Sequence, residues 1–296
     1  MQIGVAGLGK MGAPIAARLI EVGHQVTVWN RSADKTKALA AAGATVANTP
    51  ADVVNACEAI ITILADAAAI AAVYHGASGL LSGDATGKLF IEMSTELPSV
   101  KISLAEKVRI KGAALVDCPV GGSVKPAREG KLLGLMGAEP ADAERARPIL
   151  EQLCGQRLEH CGPVGSGAAM KLAVNLPLMV GWQAFGEAFA ICSDLGWDAK
   201  RLVDLMASTN GANNGLKTRA PMIVQMFEGG DPGPTTFTIS NAVKDLKVML
   251  AAAKEKGVEL PAIKTALAGF EEASAHGLGG SDGAALSVYW AKRKKS

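Results

Sequence analysis

The stretch from Ile3 to Trp29 constrains the fold more than any other. Ile3-Gly4-Val5-Ala6 is a short apolar run, and Gly7-Leu8-Gly9-Lys10-Met11-Gly12 follows it at once. Beyond it, Ile15, Leu19 and Ile20 recur at helical spacing, and Val26 and Val28 alternate as in a strand. Strand, GxGxxG, helix and strand within roughly thirty residues is the arrangement a dinucleotide-binding turn requires. Each glycine has its own task. Gly7 permits the tight turn, Gly9 lets the backbone approach a pyrophosphate at the positive helix end, and Gly12 lets helix and strand pack closely. Leu8, Lys10 and Met11 complete the turn as cofactor-binding candidates.

The second strand runs into Asn30-Arg31-Ser32. A turn selective for NAD usually carries a carboxylate here to accept from the ribose 2′-OH. A neutral amide followed by a guanidinium suits a 2′-phosphate instead, because Arg pairs bidentately with phosphate. The expectation is NADP(H), with NAD less favoured.

Apolar runs and turn signals then alternate. The pattern predicts strands over 45–46, 59–64, 89–93, 114–117, 131–136 and 158–161, with helices over 33–42, 50–57, 67–74, 98–111 and 140–153. Thr49 precedes Pro50 as a helix cap, and Pro148 is expected to break or kink the 140–153 helix. This alternation implies a mostly parallel sheet covered on both faces, with ligands at the carboxyl ends of the strands. Leu64-Ala65-Asp66 and Ser94-Thr95 lie at such ends. Residues 117–132 open a strand into Gly121-Gly122-Ser123, whose backbone N–H groups can form an anion-binding concavity.

From Gly165 onward the alternation stops and the pattern is helical. The expectation is an α/β Rossmann-type dinucleotide-binding domain over 1–163 and an all-α domain over 164–296, joined by a long apolar helix over 168–195. At the start of that helix Gly167, Lys171 and Asn175 are four apart and share a face, which would place a cation and an amide side by side with room beside the glycine. Taken alone, a lone Lys in an apolar helix is more ordinarily a side chain snorkelling to water. The other reading is that the cation and the amide grip a small polar ligand together.

Composition narrows the partners. A net charge of +2 gives no nucleic-acid footprint, and the Lys292–Lys295 cluster is expected to be a solvated tail. Five cysteines, an odd number without CxxC spacing, are expected to be reduced thiols in a cytoplasmic protein, with no metal site. No run reaches the length of a membrane span, and the N-terminus does not look like a signal peptide.

Four motifs in order and spacing resemble the β-hydroxyacid dehydrogenases, such as 3-hydroxyisobutyrate dehydrogenase, tartronate semialdehyde reductase and glyoxylate/succinic semialdehyde reductase. They are Gly7–Gly12, Asp117–Ser123 with Gly130-Lys131-Leu132, Gly167–Asn175, and Phe237 with Lys244-Asp245-Leu246. The resemblance covers essentially the whole chain. It implies that Lys171 is catalytic, that Gly122, Ser123, Asn175 and Thr95 meet the substrate, and that Thr95, Phe237 and Lys244 contact the cofactor. It also implies hydride transfer to a short hydroxy acid or semialdehyde acid, and a homodimer or homotetramer. Asn213, Asn214, Lys217, Phe237 and Asp282 are the residues expected to shape the pocket. Imine reductases and non-catalytic NADP-binding modules share the plan, but imine reductases usually replace the Lys. Two departures stand out: Gly121 where the family has Ser, and Glu96-Leu97-Pro98 after Ser94-Thr95.

Overall fold

The computed structural model describes residues 1–293. The chain separates into two compact units, Met1–Lys171 and the part from Leu172 onward.

The first unit holds β1 (Gln2–Ala6), α1 (Gly12–Glu21), β2 (Gln25–Trp29), α2 (Lys37–Ala41), β3 (Thr45–Val46), α3 (Pro50–Ala56), β4 (Ala59–Thr62) and α4 (Ala67–His75). It continues through β5 (Leu89–Glu92), α5 (Pro98–Ile110), β6 (Ala114–Asp117), β7 (Val120–Gly121), α6 (Val124–Glu129), β8 (Leu133–Gly137), α7 (Pro140–Cys154) and β9 (Leu158–Gly162). Strands β3-β2-β1-β4-β5-β6 are parallel neighbours in that order, which is the doubly wound dinucleotide-binding arrangement.

Successive strand residues serve opposite faces, as a pleated strand demands. Ile61, Ile91 and Val116 join a core with Ile15 and Leu19 of α1 and Ile149 and Leu153 of α7. Ile60, Phe90 and Leu115 face the other way, toward Val53, Tyr74, Leu104 and Val108 of α3, α4 and α5. Thr49 caps α3 as expected, and it does so in a full capping box with Asp52.

Several details differ from the sequence reading. β8 runs antiparallel to β6 and β7, while β9 is parallel to β8, so the sheet is mixed at this edge. Pro148 does not split α7, which is one helix of 15 residues. A proline at that position loses one helix hydrogen bond and crowds the carbonyl one turn back, and burial of Ala146, Ile149, Leu150 and Leu153 on both sides of it holds the helix together. The short α6 escaped notice because glycines flank it and Pro126 lies within it.

The second unit is helical. α8 (Ser166–Ile191) enters it, followed by α9 (Ala199–Ser208), α10 (Asn214–Phe227), α11 (Ile239–Glu255), α12 (Pro261–Ala273) and α13 (Ala285–Lys292). Trp182 packs edge-on to Phe270 and Phe189 edge-on to Phe227, with ring centroids 6.2 and 5.4 Å apart. Asp198, Asn213 and Thr238 cap the helices after them. The basic tail is not simply solvated. Lys292 donates to the carbonyls of Met226 and Phe227 at the end of α10, and Arg293 pairs with Glu272. Lys294 and Lys295 lie outside the described residues. No helix among the described residues is long and apolar enough to cross a membrane.

The five cysteines are free thiols, with Cys57, Cys118 and Cys154 buried. Burial pushes the Cys154 thiol up to about 12.

Phe90 is fully buried at the sheet centre, 5.8 Å from the Tyr74 ring. Phe90→Ala is expected to cost about 3–5 kcal/mol in urea denaturation of the first unit. A loss below about 1 kcal/mol would show that this face of the sheet does not carry the fold.

Candidate active site

The glycine turn has the shape its sequence requires. Gly7 sits at φ +100°, and its N–H donates to the Trp29 carbonyl at 3.0 Å. A Cβ on Gly12 would stand 1.8 Å from the Gly7 carbonyl oxygen, so the start of α1 can lie this close to the turn only with glycine there. At Gly9 the corresponding direction is open, and no side chain caps α1. An uncapped helix N-terminus beside bare backbone suits a pyrophosphate.

Asn30 does more than stand where a carboxylate is absent. Its Oδ1 accepts from Leu8 N at 2.9 Å, and its Nδ2 donates to the Ser32 carbonyl at 3.0 Å. The amide therefore ties the end of β2 to the glycine turn. Arg31 is exposed and has no ion-pair partner among the described residues.

The carboxyl ends of β4, β5 and β6 carry a buried charged network that sequence reasoning missed. Glu92 ends β5, Lys101 lies on α5, and Asp117 ends β6; all three are fully buried. Lys101 pairs with Glu92 and donates to the Ser94 carbonyl at 2.8 Å. The Ser94 hydroxyl donates to Glu92 and accepts from Leu64 N at 2.8 Å. Thr95 follows directly in the chain. Asp66 caps α4 by accepting from Ala69 N at 2.8 Å. The segment 64–66 is thus held at both ends by polar bonds. A lone sequence signal was present, a Lys at helical spacing inside the apolar face of α5, but its partners are distant in sequence.

Burial pushes the Asp117 carboxyl above its ordinary value, while the Gly165 N–H, the Lys101 charge and the Ala168 N–H oppose that shift. Those two amides open α8, which carries Lys171, itself 9% exposed. The sequence reading gave Gly167 the task of leaving ligand space beside Lys171 and Asn175. The structure corrects this: the space beside Gly167 is filled by the Leu135 carbonyl and the Asp117 carboxylate.

The substrate-turn candidates follow β7. Gly122 has φ +123°, and Ser123 precedes α6 without making a capping bond. A Cβ on Gly121 would lie 3.3 Å from Leu133 Cβ, its partner across β7 and β8, so a Ser here would be crowded. Glu96 folds back to accept from Leu97 N at 3.0 Å, just before Pro98 begins α5.

Within the second unit, Asn175 Nδ2 lies 3.4 Å from Asp245 Oδ2 and Lys244 Nζ 2.6 Å from Asp245 Oδ1. The buried Asp245 was only a motif letter in the sequence; it is the shared acceptor of two candidate residues. Phe237 packs on Trp182, with centroids 6.2 Å apart. Two of the residues expected to shape the pocket also have structural partners. Asp282 accepts from Arg219, Thr235 and Ala284 N inside the unit, and Asn213 caps α10 by accepting from Leu216 N.

Residues 2–162 match the NAD-binding domain of 6-phosphogluconate dehydrogenase, and residues 165–290 match the NAD-binding domain of NADP-dependent 3-hydroxyisobutyrate dehydrogenase. Glyoxylate/succinic semialdehyde reductase 1 of Arabidopsis thaliana is 32% identical over 286 residues, 97% of each chain. The chain belongs to the β-hydroxyacid dehydrogenase family. A 3-sulfolactaldehyde reductase of Escherichia coli in the same family is 33% identical over 96% of this chain and 94% of its own. The structure of Mycobacterium tuberculosis 3-hydroxyisobutyrate dehydrogenase with L-serine superposes with a TM-score of 0.84 at 27% identity, covering 97% of this chain and 98% of that one. The chain is accordingly an oxidoreductase that binds a nicotinamide dinucleotide.

Removing one member of a buried ion pair leaves an uncompensated charge. Glu92→Gln and Lys101→Met should each cost about 3–5 kcal/mol by chemical denaturation. The double variant should cost less than the sum, because it leaves neither charge buried without its partner. Additive losses would show that the pair is not coupled.

Proposed function

We propose that the protein is an NADP(H)-dependent reductase of short aldehyde acids, or the dehydrogenase of the matching hydroxy acids, with Lys171 as general acid and base. The family match with a lysine at 171, one helical turn before Asn175, is the observation that carries this reading.

The dinucleotide supplies the hydride chemistry when bound. Gly7–Gly12 would hold its pyrophosphate, Asn30, Arg31 and Ser32 its 2′-phosphate end, and Leu64, Ala65, Asp66 and Thr95 its remaining length. Phe237 and Lys244 complete the set by resemblance. Gly122, Ser123, Thr95 and Asn175 would orient the acid. As the carbonyl carbon is reduced, negative charge grows on its oxygen, and Lys171 donates first a hydrogen bond and then a proton to it. In the reverse direction the same amine accepts the alcohol proton. The substrate class is that of glyoxylate, succinic semialdehyde, tartronate semialdehyde and methylmalonate semialdehyde.

We also assign a homo-oligomer. Met170, Val174 and Ile191 of α8 are 44, 42 and 85% exposed, an apolar stripe that a second copy would cover.

Lys171→Met should lower kcat for aldehyde reduction by about 10²–10⁴-fold while NADPH still binds; residual turnover within tenfold of wild type would refute the role. Arg31→Ala should cut kcat/KM for NADPH by about 10–100-fold and leave NADH nearly unchanged. Equal losses with both cofactors would remove Arg31 from cofactor selection. Light scattering should give two or four times the 30.3 kDa chain mass, and a single-chain mass would contradict the assembly.

A further inference from the structure

Asp117 ends β6, immediately before the turn that carries Gly122 and Ser123, yet its own side chain is directed to another element. Oδ1 accepts from Gly165 N at 2.8 Å and Oδ2 accepts from Ala168 N at 2.7 Å. Gly165 directly precedes α8, and Ala168 is the third residue of the helix. Helices commonly satisfy these two amides with side chains at the same two positions, in a reciprocal capping box. Glycine and alanine cannot do that. A carboxylate 48 and 51 residues upstream makes both bonds instead.

The carboxylate has no freedom to shift. A Cβ on Gly137 would lie 2.2 Å from Asp117 Oδ1, and one on Gly167 would lie 2.9 Å from Oδ2 and 2.2 Å from the Leu135 carbonyl oxygen. Bare backbone therefore closes on it from β8 on one side and α8 on the other. Lys101, paired with Glu92, adds a buried positive charge whose field reaches it. The anion also faces the positive end of a 26-residue helix, where charge of this sign is favoured.

Lys171 stands three residues beyond Ala168, less than one helical turn past the clamp. We propose that Asp117 is a positioning residue: it pins the first turn of α8 to the end of β6 and so sets where the Lys171 amine is presented, in register with the Gly122-Ser123 turn that continues from the same strand. The proposal rests on the reading of Lys171 as the proton-handling group. It explains why two glycines, at 137 and 167, lie against one buried carboxylate. Asp117 touches no reacting atom in this account; it acts through the backbone.

The test compares wild type, Asp117→Asn and Lys171→Met in NADPH-dependent reduction of succinic semialdehyde and glyoxylate, with rates normalised to NADPH-binding sites so that unfolded protein is not counted. Asn keeps the shape but replaces one acceptor with a donor that faces an N–H. The expected result is a fall in kcat of about 10–100-fold, with the KM for NADPH within about twofold of wild type. Unchanged kcat per site in Asp117→Asn, with Lys171→Met inactive, would overturn the positioning role and leave Lys171 intact. Full activity in Lys171→Met would instead overturn the reading on which the proposal rests. A second measurement needs no variant. In the wild type, the Gly165 and Ala168 amides should exchange with deuterium as slowly as amides in the middle of α8, and exchange at the rate of a frayed helix end would overturn the clamp.

Discussion

Two hydrogen bonds accepted by the Asp117 carboxylate, from the Gly165 and Ala168 amides, join the end of a central strand to the start of α8. Much of the site's economy follows from them. A carboxylate buried at the end of an interior strand is costly unless its lone pairs are filled. Here the filling groups are helix amides that would otherwise be orphans. Each element supplies what the other lacks. The same pairing recurs beside it: Glu92 is neutralised by Lys101, and Ser94 passes the connection to the Leu64 amide. The ends of β4, β5 and β6 are thus held by side chains, not by loop packing alone.

This rigidity suits a site that must hold a dinucleotide and a small acid in fixed register. The glycine turn contributes its own constraint, since Gly12 packs against the Gly7 carbonyl and Asn30 bonds Leu8 N. Asn30 then has two consequences: it withholds the negative charge that would repel a 2′-phosphate, and it locks the turn that would receive the pyrophosphate. A carboxylate at 30 could make the bond to Leu8 N, but it could not donate to the Ser32 carbonyl. The neutral amide is therefore coupled to the local backbone, and under the proposed NADP(H) preference to cofactor choice as well.

The fold was legible where its causes are local. Val and Ile at period two, turns with Gly, and Thr49 ahead of Pro50 predicted strands, turns and caps close to where they lie. The reversed edge at β8 was not legible, because strand direction depends on partners that sequence spacing does not reveal. The clamp was hidden for the same reason: Asp117 and Gly165 are far apart in the chain, and neither neighbourhood announces the other. Gly167 shows how a correct observation can carry a wrong cause. Its small size was noticed, but the space was attributed to a ligand when the neighbouring backbone and the carboxylate occupy it. The basic tail taught a similar lesson, since Lys292 docks on carbonyls at the end of α10 that no sequence window connects to it.

The most direct test of the central claim is a crystal structure with NADP+ and succinate, whose second carboxylate stands in for the aldehyde of succinic semialdehyde. The account predicts Lys171 Nζ within about 3.2 Å of an oxygen of that carboxylate. It also predicts that the first turn of α8 remains bonded to Asp117. Succinate bound with Lys171 out of hydrogen-bond reach of either carboxylate would contradict it.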